Sequence, residues 1–308
     1  MLMEKNIELP EELKLDFPFV SKFYHLKKGQ GKIHYVDEGS ELRIDLDKDR
    51  HAILCVHGNP SWSYLFRNVI SSLRDSKRII ALDHLGMGLS SNALEHTSLE
   101  NHQQNLLELL NHLGVTSVDL VVHDWGGPIG VGALLGTHIK ICSLVFLNTS
   151  IGPVEEIPWR IRLLAFSFWR ELLVKNFALF NWGASWMSTF KKLKKSIKSA
   201  YLFPYANSSA RAGVSSFLAE IPWSSDHTNY LYLEKLRTRC RQELQKVPKI
   251  ILWGGGDFCF SEHYFKQFKA DYPQDECCYY PEYGHWSLED DQAGSGVMLQ
   301  KIISFLKR

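Results

Sequence analysis

The chain has 308 residues, 35 Lys and Arg against 34 Asp and Glu, and 45% hydrophobic residues, which is enough for a large buried core. A formal net charge of +1 supplies no bulk field for gathering nucleic acid by counterion release, and a disordered chain would carry far fewer apolar residues. No uncharged apolar run of about 18 residues occurs, so a membrane-spanning helix is excluded.

The first stretch, MLMEKNIELPEELKLDF, has acids every few residues and no continuous apolar core, and reads as neither signal peptide nor anchor. Strand-like runs follow at 33–36, 52–56, 78–82, 118–122 and 141–147. Between them, 99–113 carries Leu106, Leu109, Leu110 and Leu113 at helical spacing, with Gly114 as the stop. That alternation predicts βα units and a parallel sheet. From 152 to 230 the strand signal vanishes. This stretch holds 15 of the 38 aromatics and five of the nine Trp, with ten Lys and Arg against five Asp and Glu. It is +5 where the rest of the chain is −4. The strand rhythm resumes at 249–253 and 277–280 and closes on a helix at 297–306. The expected organisation is therefore a discontinuous α/β core, 1–151 with 231–308, and an inserted helical cap, 152–230. The six cysteines, at 55, 142, 240, 259, 277 and 278, fall mostly in apolar runs without metal spacing. They read as buried thiols of a reducing compartment, so the cytoplasm is the expected location.

Residues 119–130, DLVVHDWGGPIG, run as a buried strand into glycines and then a helical pattern. This is the form of a nucleophile elbow with Asp124 at its apex and Gly126 leaving room for the returning helix, although Val122 stands where the common pattern has Gly. An Asp at that apex implies a carboxylate nucleophile and an ester intermediate. The plainer alternative is an Asp that caps the helix opened by Gly126, Gly127 and Pro128.

Two further positions follow in the order that α/β-hydrolases use, nucleophile then acid then His. Asp257 ends the turn GGGD after the strand at 249–253, and His285 stands in YGHW after the next strand. A His oriented by an Asp has the tautomer and basicity of a general base. Upstream, HGNPSW at 57–62 directly follows the strand at 52–56, where this topology draws a second oxyanion-hole donor. Asn59 and Trp125 are neutral donors suited to holding a departing anion. The remaining His show no ligand spacing; no metal and no cofactor are expected.

On these residues the sequence resembles the haloalkane dehalogenases of the α/β-hydrolase superfamily: HGNPSWSYLFRN at 57–68, LDHLGMGLSS at 82–91, VVHDWGGPIG at 121–130 and GHWSLED at 284–290. The resemblance implies an α/β-hydrolase fold with a mostly parallel eight-stranded sheet and an inserted helical cap. It also implies Asp124 as nucleophile, Asn59 and Trp125 as leaving-group clamp, His285 as base and Asp257 as acid, because the alternative acid position holds only the amide of Asn148. The segments VFLNTSIGP at 145–153, NFALFNWGAS at 176–185, FPYANSSARAGV at 203–214 and WGGGDFCF at 253–260 look closer still to the β-lactone decarboxylases of bacterial olefin synthesis. The activity this implies is cleavage of a cis-3,4-dialkyl β-lactone to an olefin and CO2. Hydrolytic haloalkane dehalogenation is the alternative. Epoxide hydrolysis is weaker, since HGNP replaces the HGFP typical of those enzymes, though Tyr201, Tyr205 and Tyr230 are candidate cap acids. A non-catalytic ligand- or partner-binding protein on the same fold is the reading from another class.

The partner expected is an apolar small molecule, with the cap aromatics as the walls of an alkyl tunnel or as packing between cap helices. The run 191–198, KKLKKSIK, is a solvated helix face or a surface for an anionic membrane or a partner enzyme.

Overall fold

A computed structural model describes residues 9–27, 31–39, 50–93, 95–153 and 155–308; of the amino-terminal stretch, residues 1–8 lie outside the described residues. Strands that are apolar at nearly every position must be covered on both faces, and the central strands of this sheet are. The eight strands are β1 (Lys22–His25), β2 (Lys32–Glu38), β3 (His51–Val56), β4 (Ile79–Leu82), β5 (Ser117–Asp124), β6 (Lys140–Thr149), β7 (Lys249–Gly254) and β8 (Glu276–Tyr280). They form one sheet in the order β1-β2-β4-β3-β5-β6-β7-β8. The pairs β1–β2 and β2–β4 are antiparallel and the others parallel. This is an α/β-hydrolase fold with a mostly parallel eight-stranded sheet.

Alternation along β3 separates the two faces. Ala52, Leu54 and Val56 enter one core cluster, and Ile53 and Cys55 the other. The first is covered by α3 (Leu99–His112) and α4 (Gly126–Leu134), with α10 (Thr228–Glu243) and α11 (Glu262–Asp271) beyond. The second is covered by α1 (Glu11–Asp16), α2 (Arg67–Leu73) and α13 (Val297–Leu306). A short helix, α12 (Ser287–Gln292), precedes α13.

Between β6 and β7 every regular element is helical: α5 (Trp159–Arg162), α6 (Ser167–Arg170), α7 (Leu179–Met187), α8 (Lys195–Leu202), α9 (Ala212–Ala219) and α10, with single 3₁₀ and π turns between. A buried polar network ties these helices to the core. Arg67 on α2 makes a bidentate pair with Glu289 on α12 at 2.5 and 2.9 Å, and the Tyr201 hydroxyl on α8 donates to the same carboxylate at 2.6 Å. Tyr201 also stacks on Trp286, centroids 4.0 Å apart.

The thiols depart from expectation. All six cysteines are free, but only Cys55 and Cys240 are buried, and the other four are half-buried. No helix among the described residues is long and apolar enough to cross a membrane.

Candidate active site

The chain leaves β3 for β4 on one side and returns to β5 on the other, so a crevice opens at the carboxyl ends of β3 and β5. Asp124 is the last residue of β5, and its φ of +53° is uncommon for a residue with a side chain. Such backbone strain persists only where the surroundings fix it. Here the Thr149 hydroxyl donates to the Asp124 carbonyl at 2.5 Å, and the first turn of α4 lies against β3. A Cβ at Gly126 would stand 1.9 Å from the Val56 carbonyl oxygen, so only glycine lets the helix leave so close to the strand.

The carboxylate of Asp124 is anchored on one side. Its Oδ1 accepts from the Asn59 backbone N–H at 2.6 Å, and the Trp125 backbone N–H donates to the same group. A Cβ at Gly58 would lie 1.9 Å from Oδ1, so the turn after β3 is shaped around this oxygen. Oδ2 faces His285, whose Nε2 is 3.8 Å away. The other ring nitrogen of His285, Nδ1, is 2.8 Å from Asp257 Oδ2. Asp124, Asp257 and His285, called from three distant motifs, thus form one buried chain of contacts.

Charge in this buried place is adjusted by its neighbours. Burial raises the Asp124 carboxyl to about 6, against the opposing pull of His285 and the two backbone donors. For His285 burial disfavours the cation, yet the Asp257 carboxylate, its hydrogen bond and the charge of Asp124 together outweigh burial and hold the imidazole above its ordinary value.

Two residues outside the sequence-derived set hold these groups in place. Asn148 sits at the end of β6 with φ +30°. Its amide donates to Asp257 Oδ2 at 3.0 Å and to the Gly254 carbonyl at 2.9 Å, and accepts from the Gly254 N–H at 2.8 Å. The position passed over as a lone amide therefore fixes the carboxylate that orients His285. His123, buried before the nucleophile, places Nε2 2.8 Å from the His285 carbonyl oxygen and its ring 4.5 Å from the His285 ring. The HDW spacing was the sequence signal for His123; Asn148 was marked only as the alternative acid position, and the partners that give it a role lie more than a hundred residues away.

A cavity of about 70 Å³ opens on Asp124. Trp125, Pro128, Ile157, Ile161, Leu233 and Phe260 are among its walls, and almost all of its surface is apolar. Phe260 also stacks on His285. Asn59 is buried beside Asp124, but its side-chain amide donates to the Val214 carbonyl on α9 at 3.3 Å, and it is not among the cavity walls. The candidate cap tyrosines also lie elsewhere. Tyr201 is bound to Glu289, the Tyr205 hydroxyl donates to the Ser61 carbonyl at 3.2 Å, and neither they nor Tyr230 reach the cavity wall. The expectation that cap aromatics form an alkyl tunnel is not met: Trp159, Phe166, Phe168, Trp169, Trp182 and Trp186 all face solvent, and among the described residues the aromatic walls are Trp125 and Phe260 from the core.

Residues 51–292 match the alpha/beta hydrolase fold family. The chain is 33% identical to a cis-3-alkyl-4-alkyloxetan-2-one decarboxylase of Xanthomonas campestris, across 89% of this chain and 92% of that one. It is 27% identical to haloalkane dehalogenase 2 of Mycobacterium tuberculosis, across 89% and 91%. Among solved structures, the tetrameric haloalkane dehalogenase DpaA of Paraglaciecola agarilytica superposes with a TM-score of 0.75 at 25% identity, covering 96% of each chain.

Proposed function

This chain belongs to the alpha/beta hydrolase fold family, as a haloalkane dehalogenase-like enzyme, and on that premise we propose that it converts a cis-3,4-dialkyl β-lactone to an olefin and CO2 with Asp124 as nucleophile. The observation that carries the proposal is the Asp124 carboxylate itself, held on a strained turn with one oxygen tied to backbone donors and the carboxyl group opening on an almost wholly apolar cavity. The choice of a lactone over a haloalkane is supported by likeness to the oxetanone decarboxylase across nearly the whole chain.

The chemistry needs few parts. Asp124 Oδ2 attacks ring carbon C4, the C4–oxygen bond breaks, and the ring oxygen keeps the electron pair as a carboxylate. The bond from C3 to that carboxylate then breaks, its electrons form the C3–C4 double bond, and the C4–Oδ2 bond releases the Asp124 carboxylate. Inversion at C4 followed by anti elimination leaves the two alkyl groups cis. No water is consumed and no proton moves. The backbone N–H groups of Asn59 and Trp125 keep Oδ1 from competing with Oδ2. The Trp125 indole, whose residue lines the cavity, is the donor assigned to the departing carboxylate. The imidazolium form of His285, favoured by Asp257, offsets the charge of two carboxylates in a dry site. We also assign residues 152–230 as a cap that closes over this cavity, with 1–151 and 231–308 as the core.

A haloalkane would use the same nucleophile, but its ester must be hydrolysed by water activated at neutral His285. Turnover in H₂¹⁸O separates the two: water attacks the ester at the Asp124 carbonyl carbon, so hydrolysis leaves ¹⁸O in the Asp124 peptide, whereas elimination leaves none. Supplied with a cis-3,4-dialkyl β-lactone and, separately, 1,2-dibromoethane, the purified enzyme is expected to form olefin from the first with no label on Asp124. Bromide release with labelled Asp124, and no olefin, would assign the dehalogenase activity instead.

A further inference from the structure

We propose that residues 159–198 form a docking surface for an anionic lipid bilayer, with the aromatic side chains entering the headgroup region and the lysines meeting lipid phosphates. Three observations converge on this occupant, and none depends on which bond Asp124 attacks.

The first is an inverted helix. On α7 the buried side carries Asn181, Ala184 and Ser185, while Leu179, Trp182 and Trp186 face solvent. A helix folding against a protein core in water would do the opposite. Of the seventeen large hydrophobic residues exposed among the described residues, eleven lie between 159 and 190. An apolar surface of that extent marks an interaction site.

The second is charge. Residues 159–198 contain nine Lys and Arg and one acid. The cations share the aromatic face: Lys198 Nζ lies 3.9 Å from the Trp186 ring centroid and 4.3 Å from that of Trp182, and Lys192 reaches Trp186 at 5.4 Å. Indoles flanked by ammonium groups on long stems match the depth profile of an anionic bilayer, apolar below and phosphate above.

The third is continuity with the site. Ile157, Pro158 and Ile161 wall the cavity, and between them stand Trp159 and Arg160, both exposed. A cavity of about 70 Å³ is roughly half the ~150 Å³ that accommodates benzene, so the long alkyl chains of the proposed substrate must leave it, and 157–161 is the part of its wall that continues into the exposed aromatic segment. Seating 159–190 in a bilayer would let such chains pass from lipid to Asp124 without crossing water.

The test uses the full-length protein and sucrose-loaded vesicles of 30% phosphatidylglycerol in phosphatidylcholine, against phosphatidylcholine alone. The wild type is expected to sediment with the anionic vesicles at least tenfold more tightly than with the neutral ones. The double variant Trp182→Ser, Trp186→Ser and, separately, the triple variant Lys192→Gln, Lys195→Gln, Lys198→Gln should each weaken that binding about tenfold, while turnover of a short, water-soluble substrate and the far-UV circular dichroism stay unchanged. Both variant sets alter side chains outside the cavity, so failure here leaves the proposed reaction standing. Equal sedimentation with and without vesicles would overturn the proposal, as would variants that bind like wild type. A stable oligomer that falls apart in the Trp182→Ser, Trp186→Ser variant would also overturn it, by assigning the surface to a second copy of the chain.

Discussion

Asp124 is ionised only above about pH 6, because burial outweighs the donors that favour its charge. A nucleophilic carboxylate must be charged, so kcat/KM for the lactone should fall tenfold per unit as pH drops below about 6, rather than below the 4 of an exposed Asp. Ester hydrolysis would add a second rise at higher pH, where His285 loses the proton its neighbours help it keep. The lactone pH–rate profile is expected to rise near 6 and then, as the His285 imidazolium is lost, to fall at higher pH instead of rising again. Asp124→Asn should lower turnover by about four orders of magnitude, and His285→Gln by much less, because elimination needs no base. Gly58→Ala, whose methyl would meet Asp124 Oδ1 at 1.9 Å, should cost about a hundredfold in kcat/KM with secondary structure intact by circular dichroism. The catalytic candidates were legible because each sits in a short motif at a strand end. Asn148 and His123 were not, because their value lies in bonds to Gly254, Asp257 and His285 that only the folded sheet brings near.

Elements are held by a few buried polar contacts as much as by apolar area. Glu289→Ala would remove the bidentate partner of the buried Arg67 guanidinium and leave it only the half-exposed Asp16 carboxylate at 3.1 Å and the Tyr64 carbonyl, a loss of about 3 kcal/mol in denaturant unfolding, while Tyr201→Phe, which removes one hydrogen bond, should cost about 1–2 kcal/mol. Ile161→Trp should reduce turnover of long-chain lactones far more than short ones, since this residue of α5 walls the cavity where chains must leave it. Seven of the eight strands follow the apolar runs of the sequence to within three residues, because strands with buried faces, most of them parallel, announce themselves. The eighth, β1, is a four-residue antiparallel edge strand whose residues alternate half-buried and exposed, and Lys22 to His25 gives no such run. The cap misled in a different way. Its hydrophobicity read as interior, whereas much of it faces outward, and composition alone cannot tell a core from a surface meant for an apolar medium.

On the scale of the molecule, a near-neutral total conceals two unlike halves: a sheet domain of −4 carrying the triad and a +5 helical insertion rich in exposed aromatics. The core supplies a buried carboxylate, a His–Asp pair and backbone donors that any member of this fold could direct at several electrophiles. The cavity on which that carboxylate opens is walled by residues of both the sheet domain and the insertion, and its surface is almost all apolar. The most direct test follows a cis-3,4-dialkyl β-lactone by proton NMR at ambient temperature with wild-type enzyme and with Asp124→Asn. The expected result is a cis olefin, with one CO2 per lactone consumed, from the wild type and none from the variant. A β-hydroxy acid as the wild-type product, or olefin formed equally by Asp124→Asn, would contradict the assignment.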